Sequence, residues 1–478
     1  YGKDRDVDVE ISVCENGLYK KTVRIPEYSS ISIDVSSKVK ERCSAVLRIE
    51  GRVVDNQLIE PLAKQRLDNP VYLVFVFHNH QPPNYGPDNV YRALWPFIYV
   101  WRPVLFPYGF GPYYYHAVLL KKYSDGNIKF VFNLSPSLLK QWMDLVESGA
   151  KIYTGEFIAP GSDLAKMVKE TMEMYRELIS SGVVEVLTSA YAHTILGYLV
   201  EMYCLDDVVE HEIEYGIEVT KKFLGRRPKG FWLPEMSFSM KLIPILTSLG
   251  LEYTFLDEVY HLRKSDKSGA TPYELYTVDD GKGNRLTVFF RDTELSNVIA
   301  FANNFCSDIH AIKNAYSFAD KLLDKAVHNK AKVVTIALDG ENWMAFSSNP
   351  PATAVYLSTL VDILHNLGKR GLIKMVTAEE AVNLVPPRQK ITRIPSTTWL
   401  GGYTKWRGEV EEHEVFWEKV EKRIRRFREY IMAGEPDEKV RKAEWALWHI
   451  LDSDYWWAEF WNKKMINLWI EEFDRYLG

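Results

Sequence analysis

The feature that most constrains the fold of this chain is an alternation of short apolar runs with longer helical patterns between Val71 and Val376. Such an alternation is typical of repeated βα units around a mostly parallel sheet. An open sheet built from this many strands would be unusually wide, so the pattern favours a barrel. The predicted strands are Val71–Phe77, Ile128–Asn133, Val184–Thr188, Gly230–Leu233, Tyr253–Leu256, Leu286–Phe290, Val333–Leu338 and Lys374–Val376.

Helices are predicted between these strands, and one of them carries a clear stop signal. Gly225 follows the stretch Asp206–Leu224 directly, and Pro228 comes soon after, a combination that ends helices. The other predicted helices are Asp163–Ser181, Ser307–His328 and Ala352–Leu367. The fold class expected is therefore α/β, with a distorted parallel barrel at its centre.

The two ends of the chain differ from this central region. Residues 1–65 contain β-branched runs at Val7–Val13, Ile31–Val35 and Ala45–Ile49, which predict a small β-rich module. Residues 66–385 hold the barrel, and residues 386–478 predict a Trp-rich α-helical domain that completes the cleft. None of the four cysteines forms a CxxC pair; Cys14 and Cys43 are either bridged or isolated buried thiols.

Composition excludes several functional classes. A net charge of −5, from 59 basic and 64 acidic residues, gives no electrostatic footprint for nucleic acid or for an anionic membrane. No apolar run approaches the ~18 residues of a membrane span, and no glycine-rich phosphate loop follows a strand. We therefore expect no nucleic acid, membrane or nucleotide cofactor as a partner, while oligomeric state stays open. Few glutamines beside many Lys, Arg and Glu predict a thermostable protein.

The sequence starts at Tyr1 without a leader, which leaves secretion after signal removal and a cytoplasmic location equally open. Aromatic residues make up 13% of the chain and include 14 tryptophans, more than packing alone usually needs. Because sugar rings stack on aromatic faces, this excess is consistent with a carbohydrate ligand.

Candidate catalytic groups were sought at the carboxyl ends of the predicted strands, where the loops of a parallel barrel converge. His80 follows the first strand, His193 follows the third, Glu235 follows the fourth and Asp339 ends the seventh. Glu235 stands after a tryptophan and a proline, on a stiff strand end suited to a positioned nucleophile. Two such carboxylates can divide acid and nucleophile roles if their surroundings separate their pKa values.

Five segments of the chain resemble the conserved regions of glycoside hydrolase family 57, and they occur in the family's order. They are His80-Gln81-Pro82, the segment around His193, Trp232-Leu233-Pro234-Glu235, Asp339-Gly340-Glu341-Asn342 and Ser453-Asp454-Tyr455-Trp456-Trp457. The segments Phe290-Arg291-Asp292 and Thr398-Trp399-Leu400-Gly401-Gly402 are also similar to family segments. The resemblance covers about residues 70 to 460, and the subgroup it fits best is that of the amylopullulanases and related α-amylases.

The resemblance implies a (β/α)7-type barrel and a retaining mechanism on α-linked glucans, without metal or other cofactor. By it, Glu235 is the nucleophile and Asp339 the general acid/base. A retaining mechanism predicts a separation of about 5–5.5 Å between the two carboxyl groups. The predicted substrate-binding residues are His80, His193, Trp232, Asp292, Trp399, Trp406, Asp454 and Trp456.

Other polar residues at the strand ends are second-tier candidates. Asp257 and Glu258 are candidates for binding or for orienting the acid, whereas Arg291 is expected to hold a carboxylate. For Glu341 a structural role is favoured over that of an acidic partner in the same site, and membership of His78 in the site is left open. The aromatic stretch from Tyr91 to Tyr115, which includes Tyr108, departs from the sequence expected of the subgroup and leaves the substrate preference open. Hydrolysis of α-1,4 bonds, alone or together with α-1,6 bonds, is favoured.

Three alternatives stay open at this point. The same carboxylates would serve a 4-α-glucanotransferase or a branching-type transglycosylase if a sugar replaces water as acceptor. A metal-dependent deacetylase or hydrolase would use His78, His80, His193 and an aspartate such as Asp339 as ligands. A non-catalytic carbohydrate-binding protein on a degenerate barrel would keep the aromatic residues without turnover.

Overall fold

The computed structural model describes residues 4–14, 17–25, 33, 43–59, 70–102, 109–123, 125–433 and 438–477. These residues form an N-terminal antiparallel sheet, a large α/β unit and a C-terminal group of helices. Across these ranges, no helix combines the length and the apolar character needed to cross a lipid bilayer.

The N-terminal sheet has four antiparallel strands in the order β2-β1-β3-β4. Its strands are β1 (Arg5–Val13), β2 (Gly17–Ile25), β3 (Cys43–Ile49) and β4 (Arg52–Ile59). Val7, Val9 and Val13 are buried, and the residues that alternate with Val7 and Val9 are exposed, as expected for a strand with one covered face. Two predicted strands correspond to β1 and β3. The third, Ile31–Val35, lies outside the described residues except for Ile33.

A disulfide joins Cys14 to Cys43, which decides between the two alternatives left open by the sequence. The two cysteines are 29 positions apart, so the bond removes many conformations from the unfolded chain. A loop of this length corresponds to roughly 3–4 kcal/mol of stabilisation in the chain-entropy estimate. The ion pair between Lys313 Nζ and Asp55 Oδ1, 3.1 Å long, connects the module to a barrel helix.

Every predicted barrel strand is present. The strands of the α/β unit are β5 (Val71–Asn79), β6 (Val90–Tyr91), β7 (Phe130–Leu134), β8 (Ala150–Ile152), β9 (Phe157–Ile158), β10 (Val184–Leu187), β11 (Gly230–Phe231), β12 (Tyr253–Asp257), β13 (Tyr276–Asp279), β14 (Arg285–Arg291), β15 (Val333–Asp339), β16 (Ile373–Met375) and β17 (Gln389–Ile391). Strand β5 is apolar almost without interruption because both of its faces are covered.

Seven parallel strands form two arcs, β10-β7-β5-β15 and β11-β12-β14. A parallel bridge between Thr188 and Phe231 joins the arcs at one side. At the other side the amide of Asp292 donates to the carbonyl of Thr335 at 2.8 Å, so the strands do not form a continuously hydrogen-bonded barrel. The eighth predicted strand exists as β16, but it pairs only with the first residues of β5.

Helices surround these strands, and serine, threonine or aspartate caps several of them. They are α1 (Trp95–Ile98), α2 (Pro112–Leu120), α3 (Pro136–Ser148), α4 (Asp163–Ser180), α5 (Leu196–Met202), α6 (Asp206–Leu224), α7 (Leu242–Ser248), α8 (Thr293–Phe301), α9 (Asp308–His328), α10 (Asn342–Ala345), α11 (Pro350–Lys369) and α12 (Ala378–Leu384). Helix α6 ends at Gly225 in the left-handed conformation, with φ of 72°. Its bounds are those predicted.

The C-terminal region consists of α13 (Glu412–Ala433), α14 (Glu438–Ile450), α15 (Ser453–Trp456) and α16 (Lys463–Leu477). Its buried residues are continuous with the barrel core. The predicted domain boundary at residue 385 stays a prediction, although β17 pairs with β13 and so extends the barrel sheet to Ile391.

Candidate active site

Strand register brings the first functional groups into one row. Asp339 is the register partner of His78, and His78 is the register partner of Asn133 on the next strand. On the other arc, Asp257 stands opposite Arg291. The carboxyl ends of β5, β7, β12, β14 and β15 therefore place polar groups at the same end of the barrel.

Glu235 lies in a tight turn, Pro234–Met236, at the end of β11. Its φ of 56° lies in the left-handed region, as does the 48° of Met236. A residue other than glycine held in this region stores on the order of 1–3 kcal/mol of strain, which the surrounding contacts must offset. Trp399 supplies two of them, since its amide donates to the Glu235 carbonyl at 3.2 Å and its Nε1 donates to Oε2 at 2.9 Å.

Asp339 is the last residue of β15 and is partly buried. Asn342 Nδ2 donates to its Oδ2 at 2.8 Å. A Cβ at the next residue, Gly340, would lie 1.7 Å from Asn79 Oδ1, so glycine leaves room for the Asn79 side chain. The carboxylate is thus held between a helix start on one side and β5 on the other.

Both carboxyl groups hold their protons more tightly than in water. Burial, and then the charges of Asp339 and Asp454, raise the pKa of Glu235 well above its usual value, while the Trp399 donor opposes the rise. Burial also raises the pKa of Asp339 to about 6, against the opposing effect of the Arg291 charge and the Asn342 donor. Because the charge of Asp339 acts on Glu235, the two groups titrate as a pair.

A third carboxylate shares this environment. Tyr113 Oη donates to Glu341 Oε2 at 3.2 Å and to the carbonyl of His80 at 2.9 Å. Burial and the charge of Asp339 raise the pKa of Glu341 well above the ordinary value. Glu341 therefore belongs to the same electrostatic cluster as Asp339, and Tyr113 connects it to the backbone of His80, just after β5.

Three histidine rings form the neighbouring wall. His78 stacks on Trp232, with ring centroids 4.7 Å apart, and His80 stacks on His193 at 3.8 Å. His78 Nε2 and His193 Nε2 are 3.1 Å apart, so one of them donates to the other. The question left open by the sequence is thereby answered, because His78 is part of the cluster.

The partners of the rings define the positions of the protons. Asn133 Nδ2 donates to the carbonyl of Leu187, so its Oδ1 accepts from His78 Nδ1 at 2.7 Å. His78 Nε2 then accepts from His193 Nε2, and His193 Nδ1 accepts from Ser453 Oγ at 2.8 Å. Burial lowers the pKa of both histidines well below the ordinary value, in agreement with neutral rings in this chain of donors.

His80 connects the barrel to the C-terminal helices. Its Nε2 is 2.8 Å from Asp454 Oδ2, and its Nδ1 is 2.8 Å from Ser135 Oγ. Thr194 and Asp452 form an antiparallel bridge beside this contact. The Ser453–Asp454 segment is therefore docked on the barrel mouth by backbone and side-chain bonds, and it places a partly exposed carboxylate in the site.

One ring nitrogen from each of His78, His80 and His193 lies within 4.8 Å of the others, which raises the question of a metal. A tetrahedral zinc ion needs lone pairs that converge at about 2.0–2.1 Å from each nitrogen. The rings of His80 and His193 are instead nearly parallel, at 17°, so the lone pairs in their planes run side by side. The geometry fits a hydrogen-bonded network better than a shared ion.

Trp399 is the predicted tryptophan that contacts Glu235. Its indole is partly exposed, it donates to Glu235, and the guanidinium of Arg291 lies over its ring at 5.0 Å from the centroid. Trp232 is fully buried, and His78 covers one face of its ring. The prediction that Trp232 stacks on a sugar is wrong; it supports His78 instead.

Trp406 and Trp456 also have no exposed face, and their predicted sugar contacts are wrong. Trp456 stacks on Trp417 with centroids 4.4 Å apart, and its Nε1 donates to the carbonyl of Ile450. Trp417 Nε1 donates in turn to the carbonyl of Trp406. These rings pack in the core of the helical region together with aliphatic side chains such as Ile424 and Leu447.

Asp292 is the other predicted binding residue that the structure corrects. It is 1% exposed, and its side chain caps α8 by accepting from the amide of Leu295 at 2.8 Å. Tyr273 Oη and Lys325 Nζ occupy the remaining oxygen lone pairs. The carboxylate therefore stabilises a helix start and has no surface for a sugar.

The second-tier residues have separate roles. Asp257 is buried and accepts from Arg291 Nε at 2.9 Å, which confirms that Arg291 holds a carboxylate. Glu258 pairs with Arg263 at 2.5 Å, away from Glu235 and Asp339. Asp257 thus keeps the Arg291 guanidinium in place, and that charge acts on Asp339.

Sequence reasoning missed several supporting residues. Asn133 lies near the end of β7 and Ser135 follows it, so the polar residues at this strand end were the available signal. Glu212 lies inside α6 and is 1% exposed; it accepts from the amide of Ala192 at 2.9 Å and from Thr194 Oγ1 at 2.6 Å. It holds the turn in which His193 has a φ of 57°. The signal that could have identified Glu212 is an acidic residue on the apolar face of a predicted helix.

Comparison with known proteins places this site in a family. The model of glycosyl hydrolase family 57 matches residues 74–394, which is most of the chain. The chain belongs to glycoside hydrolase family 57. The family regions that the sequence resembles are thus the segments that the fold gathers at the barrel mouth.

The similarity to individual family 57 proteins is low in sequence and clear in fold. An α-amylase of Pyrococcus abyssi is 20% identical over 380 residues, covering 76% of this chain and 47% of the relative. A 1,4-α-glucan branching enzyme of Thermococcus kodakarensis is 25% identical, covering 48% of this chain and 39% of the relative. The chain therefore spans about half or less of the length of these curated relatives.

The solved structure of a family 57 branching enzyme from Pyrococcus horikoshii aligns with a TM-score of 0.62 at 18% identity, covering 85% of this chain and 88% of that one. Family 57 structures of this kind contain a (β/α)7 barrel, and the seven parallel strands described above have the same arrangement. The predicted fold class is confirmed.

Proposed function

We propose that this chain is a retaining glycoside hydrolase that cleaves α-glucosidic bonds, with Glu235 as nucleophile and Asp339 as general acid/base. The observation that carries the proposal is that these two carboxyl groups, at the ends of β11 and β15 on different arcs of the barrel, come close enough at its mouth for the charge of Asp339 to raise the pKa of Glu235. Their family assignment and the presence of an α-amylase among the relatives support α-glucans as the substrate. The aligned branching enzyme comes from a hyperthermophilic archaeon, which supports the expectation of a thermostable enzyme.

In the first step, a carboxylate oxygen of Glu235 attacks the anomeric carbon. The bond from that carbon to the bridging oxygen breaks, and Asp339 gives its proton to the departing oxygen. A β-linked glycosyl ester of Glu235 results. Asp339 then removes a proton from water, the resulting hydroxide displaces Glu235 from the anomeric carbon, and the product keeps the α configuration.

The other residues of the site prepare this sequence. Trp399 Nε1 stabilises the ionised form of Glu235, which is the form that attacks. The raised pKa of Asp339 keeps a proton available for the leaving oxygen near pH 6. Asp454 is the partly exposed group of this wall and is proposed to bind sugar hydroxyls next to the bond that breaks, while the buried rings of His80 and His193 hold it in position.

Azide rescue tests the two roles separately. With Glu235→Ala, azide in the vacated space attacks from the side of the lost nucleophile, so a β-glucosyl azide is expected. With Asp339→Ala, the glycosyl ester still forms on an activated substrate and azide displaces it, so an α-glucosyl azide is expected. Asp292→Asn is the matched control and should release sugars without azide. Two azides of the same configuration would contradict the assignment.

A 4-α-glucanotransferase or branching-type activity is the second candidate, because relatives carry both names. In that case the hydroxyl of an acceptor sugar takes the place of water in the second step. Product analysis on maltotriose, amylose and pullulan distinguishes the activities. Short sugars alone indicate hydrolysis, products longer than maltotriose indicate transfer, and cleavage of pullulan at its α-1,6 bonds would support the amylopullulanase type.

The metal-dependent alternative rests on the histidine cluster. It predicts that a chelator abolishes activity and that zinc restores it. The hydrogen-bonded arrangement of the rings predicts no change with chelator. A loss of activity in His78→Gln without any metal effect would assign the cluster to positioning.

A further inference from the structure

A small sheet outside the barrel presents two exposed aromatic rings on one face. It consists of β6, β8 and β9, with β6 parallel and β9 antiparallel to β8. Within β8, Lys151 is exposed and Ile152 is buried, and Tyr153, in the turn directly after β8, is exposed again. Phe157 is the register partner of Lys151 and shares this outer face. Tyr153 is 66% exposed and Phe157 is 56% exposed.

The position of the Phe157 ring is fixed by the backbone beneath it. A Cβ at residue 149 would lie 2.6 Å from the ring and 2.5 Å from the carbonyl of Ile158, so only glycine fits there. Gly149 also has a φ of 79°, which other residues rarely adopt. The chain thus holds an apolar ring in solvent on a rigid support, an arrangement typical of interaction sites.

The two rings belong to a surface groove of about 570 Å³, a volume within the range of small-ligand sites. Its lining also contains charged groups of both signs. Asp88 and Arg92 pair at 2.6 Å, and Glu156 accepts from Thr154 Oγ1 at 3.2 Å. With Lys151, the lining carries two acidic and two basic groups. Equal numbers of acidic and basic groups disfavour a strongly charged ligand. The same groups provide hydrogen-bond donors and acceptors beside the aromatic surfaces.

The groove is connected to the barrel mouth through its own backbone. β6 begins ten residues after His80, on the segment that leaves the end of β5. The amide of Tyr153 donates to the carbonyl of Tyr91, and Tyr91 forms a bridge with Tyr85. Tyr85 Oη lies 2.6 Å from Tyr191 Oη, two residues before His193. One continuous framework therefore supports both the groove and the histidine wall.

We propose that this groove is a second carbohydrate-binding site, which holds a neutral α-glucan chain away from the bond that is cleaved. Sugar rings lay their C–H faces on Tyr153 and Phe157, and their hydroxyls bind the charged groups at the margin. The identity of the ligand rests on the proposed function, whereas the existence of the site rests on the groove. Its role is to retain polymeric substrate near the barrel mouth.

The test measures binding without turnover. Glu235→Gln serves as the parent, and Tyr153→Ala/Phe157→Ala is added to it. We expect adsorption to granular starch, and retardation in gels containing amylose, to fall at least tenfold. Tyr430→Ala/Phe460→Ala, which removes two exposed aromatic rings elsewhere, is the matched control and should adsorb as the parent does. Tyr153→Trp keeps an aromatic surface and should retain adsorption.

Kinetics with the active enzyme separate this site from the catalytic one. Tyr153→Ala/Phe157→Ala should leave kcat/KM on maltotriose within twofold and lower it severalfold on amylose. Equal adsorption of parent and double variant would overturn the second site while leaving the proposed function intact. Failure of the wild-type enzyme to act on any α-glucan would overturn the proposed function, and with it the identity of the ligand.

Discussion

The barrel mouth and the C-terminal helical region are both rich in tryptophans and carboxylates, but the two regions use them differently. At the mouth, Trp399 donates to Glu235 and lies against Arg291. In the helices, Trp456 packs on Trp417, and carboxylates such as Glu414 pair with a basic partner, Arg407, at 2.8 Å. At the mouth, the charge of Asp339 raises the pKa of both Glu235 and Glu341.

The difference teaches that reactivity here comes from an unbalanced charge distribution, not from residue type. Charge repulsion and backbone strain occur together at the mouth. The strain is seen in Glu235 and His193, which both have left-handed φ values. Strain and perturbed pKa values cluster at functional sites for this reason. Substitutions at the mouth should therefore change activity more than stability, and substitutions in the helices the reverse.

The largest effect is expected for Asp339→Asn. Loss of the general acid/base should lower kcat by roughly 10²–10⁴-fold on unactivated glucans. The folded-state pKa, about 6, lies above the ordinary value of 3.8, so ionisation destabilises the folded chain as pH rises through this interval. The variant should thus be more stable than the wild type at pH 8, by on the order of 1–3 kcal/mol.

Urea unfolding at pH 4 and pH 8, followed by circular dichroism, checks this prediction. The stability difference should shrink towards zero below pH 4, where the wild-type carboxyl group is protonated in both states. A variant that is less stable than the wild type at pH 8 would show that Asp339 has a structural role.

Trp456→Ala should give the opposite result. Removing a fully buried indole should lower the free energy of unfolding by about 3–5 kcal/mol, because it leaves a cavity against Trp417. Activity below the unfolding transition should fall far less than in Asp339→Asn. Thermal unfolding and initial rates at a low temperature measure the two effects, and a large loss of kcat with unchanged stability would restore Trp456 to the substrate-binding set.

Trp399→Phe sharpens the comparison because it keeps a ring at the mouth and removes one N–H donor. A hydrogen bond to a charged group contributes about 1.5–3 kcal/mol, so kcat/KM should fall roughly 10–100-fold. Loss of the donor raises the pKa of Glu235, and the acidic limb of the pH profile should move to higher pH. An unmoved acidic limb would show that this bond does not control the ionisation of the nucleophile.

The smallest effect is expected for Asp292→Asn. The amide keeps the cap on α8 but loses the charge that faces Lys325, so a loss of about 1–2 kcal/mol in stability is expected. Since the side chain does not reach the mouth, kcat and KM should stay within twofold of the wild type. A rise in KM that exceeds the stability loss would return Asp292 to the substrate-binding residues.

Much of the fold could be predicted because its signals are local. The strands could be predicted from their hydrophobic period, and the end of helix α6 could be predicted from Gly225. Both signals act over a few residues. The small sheet of β6, β8 and β9 was missed, because strands of two or three residues carry too short a pattern. The candidate pair Glu235 and Asp339 could be chosen because strand ends of a parallel barrel converge.

The sequence by itself determined where the strands lie along the chain, that they belong to a barrel and which polar groups stand at the carboxyl ends of these strands. Only the tertiary structure decided which polar group meets which partner, as with His80 and Asp454, which are 374 positions apart. It also decided that Trp399 reaches solvent while Trp232, Trp406 and Trp456 do not. The physical reason is that periodicity fixes the face on which a side chain lies, whereas burial and hydrogen bonding depend on what the rest of the chain places against that face.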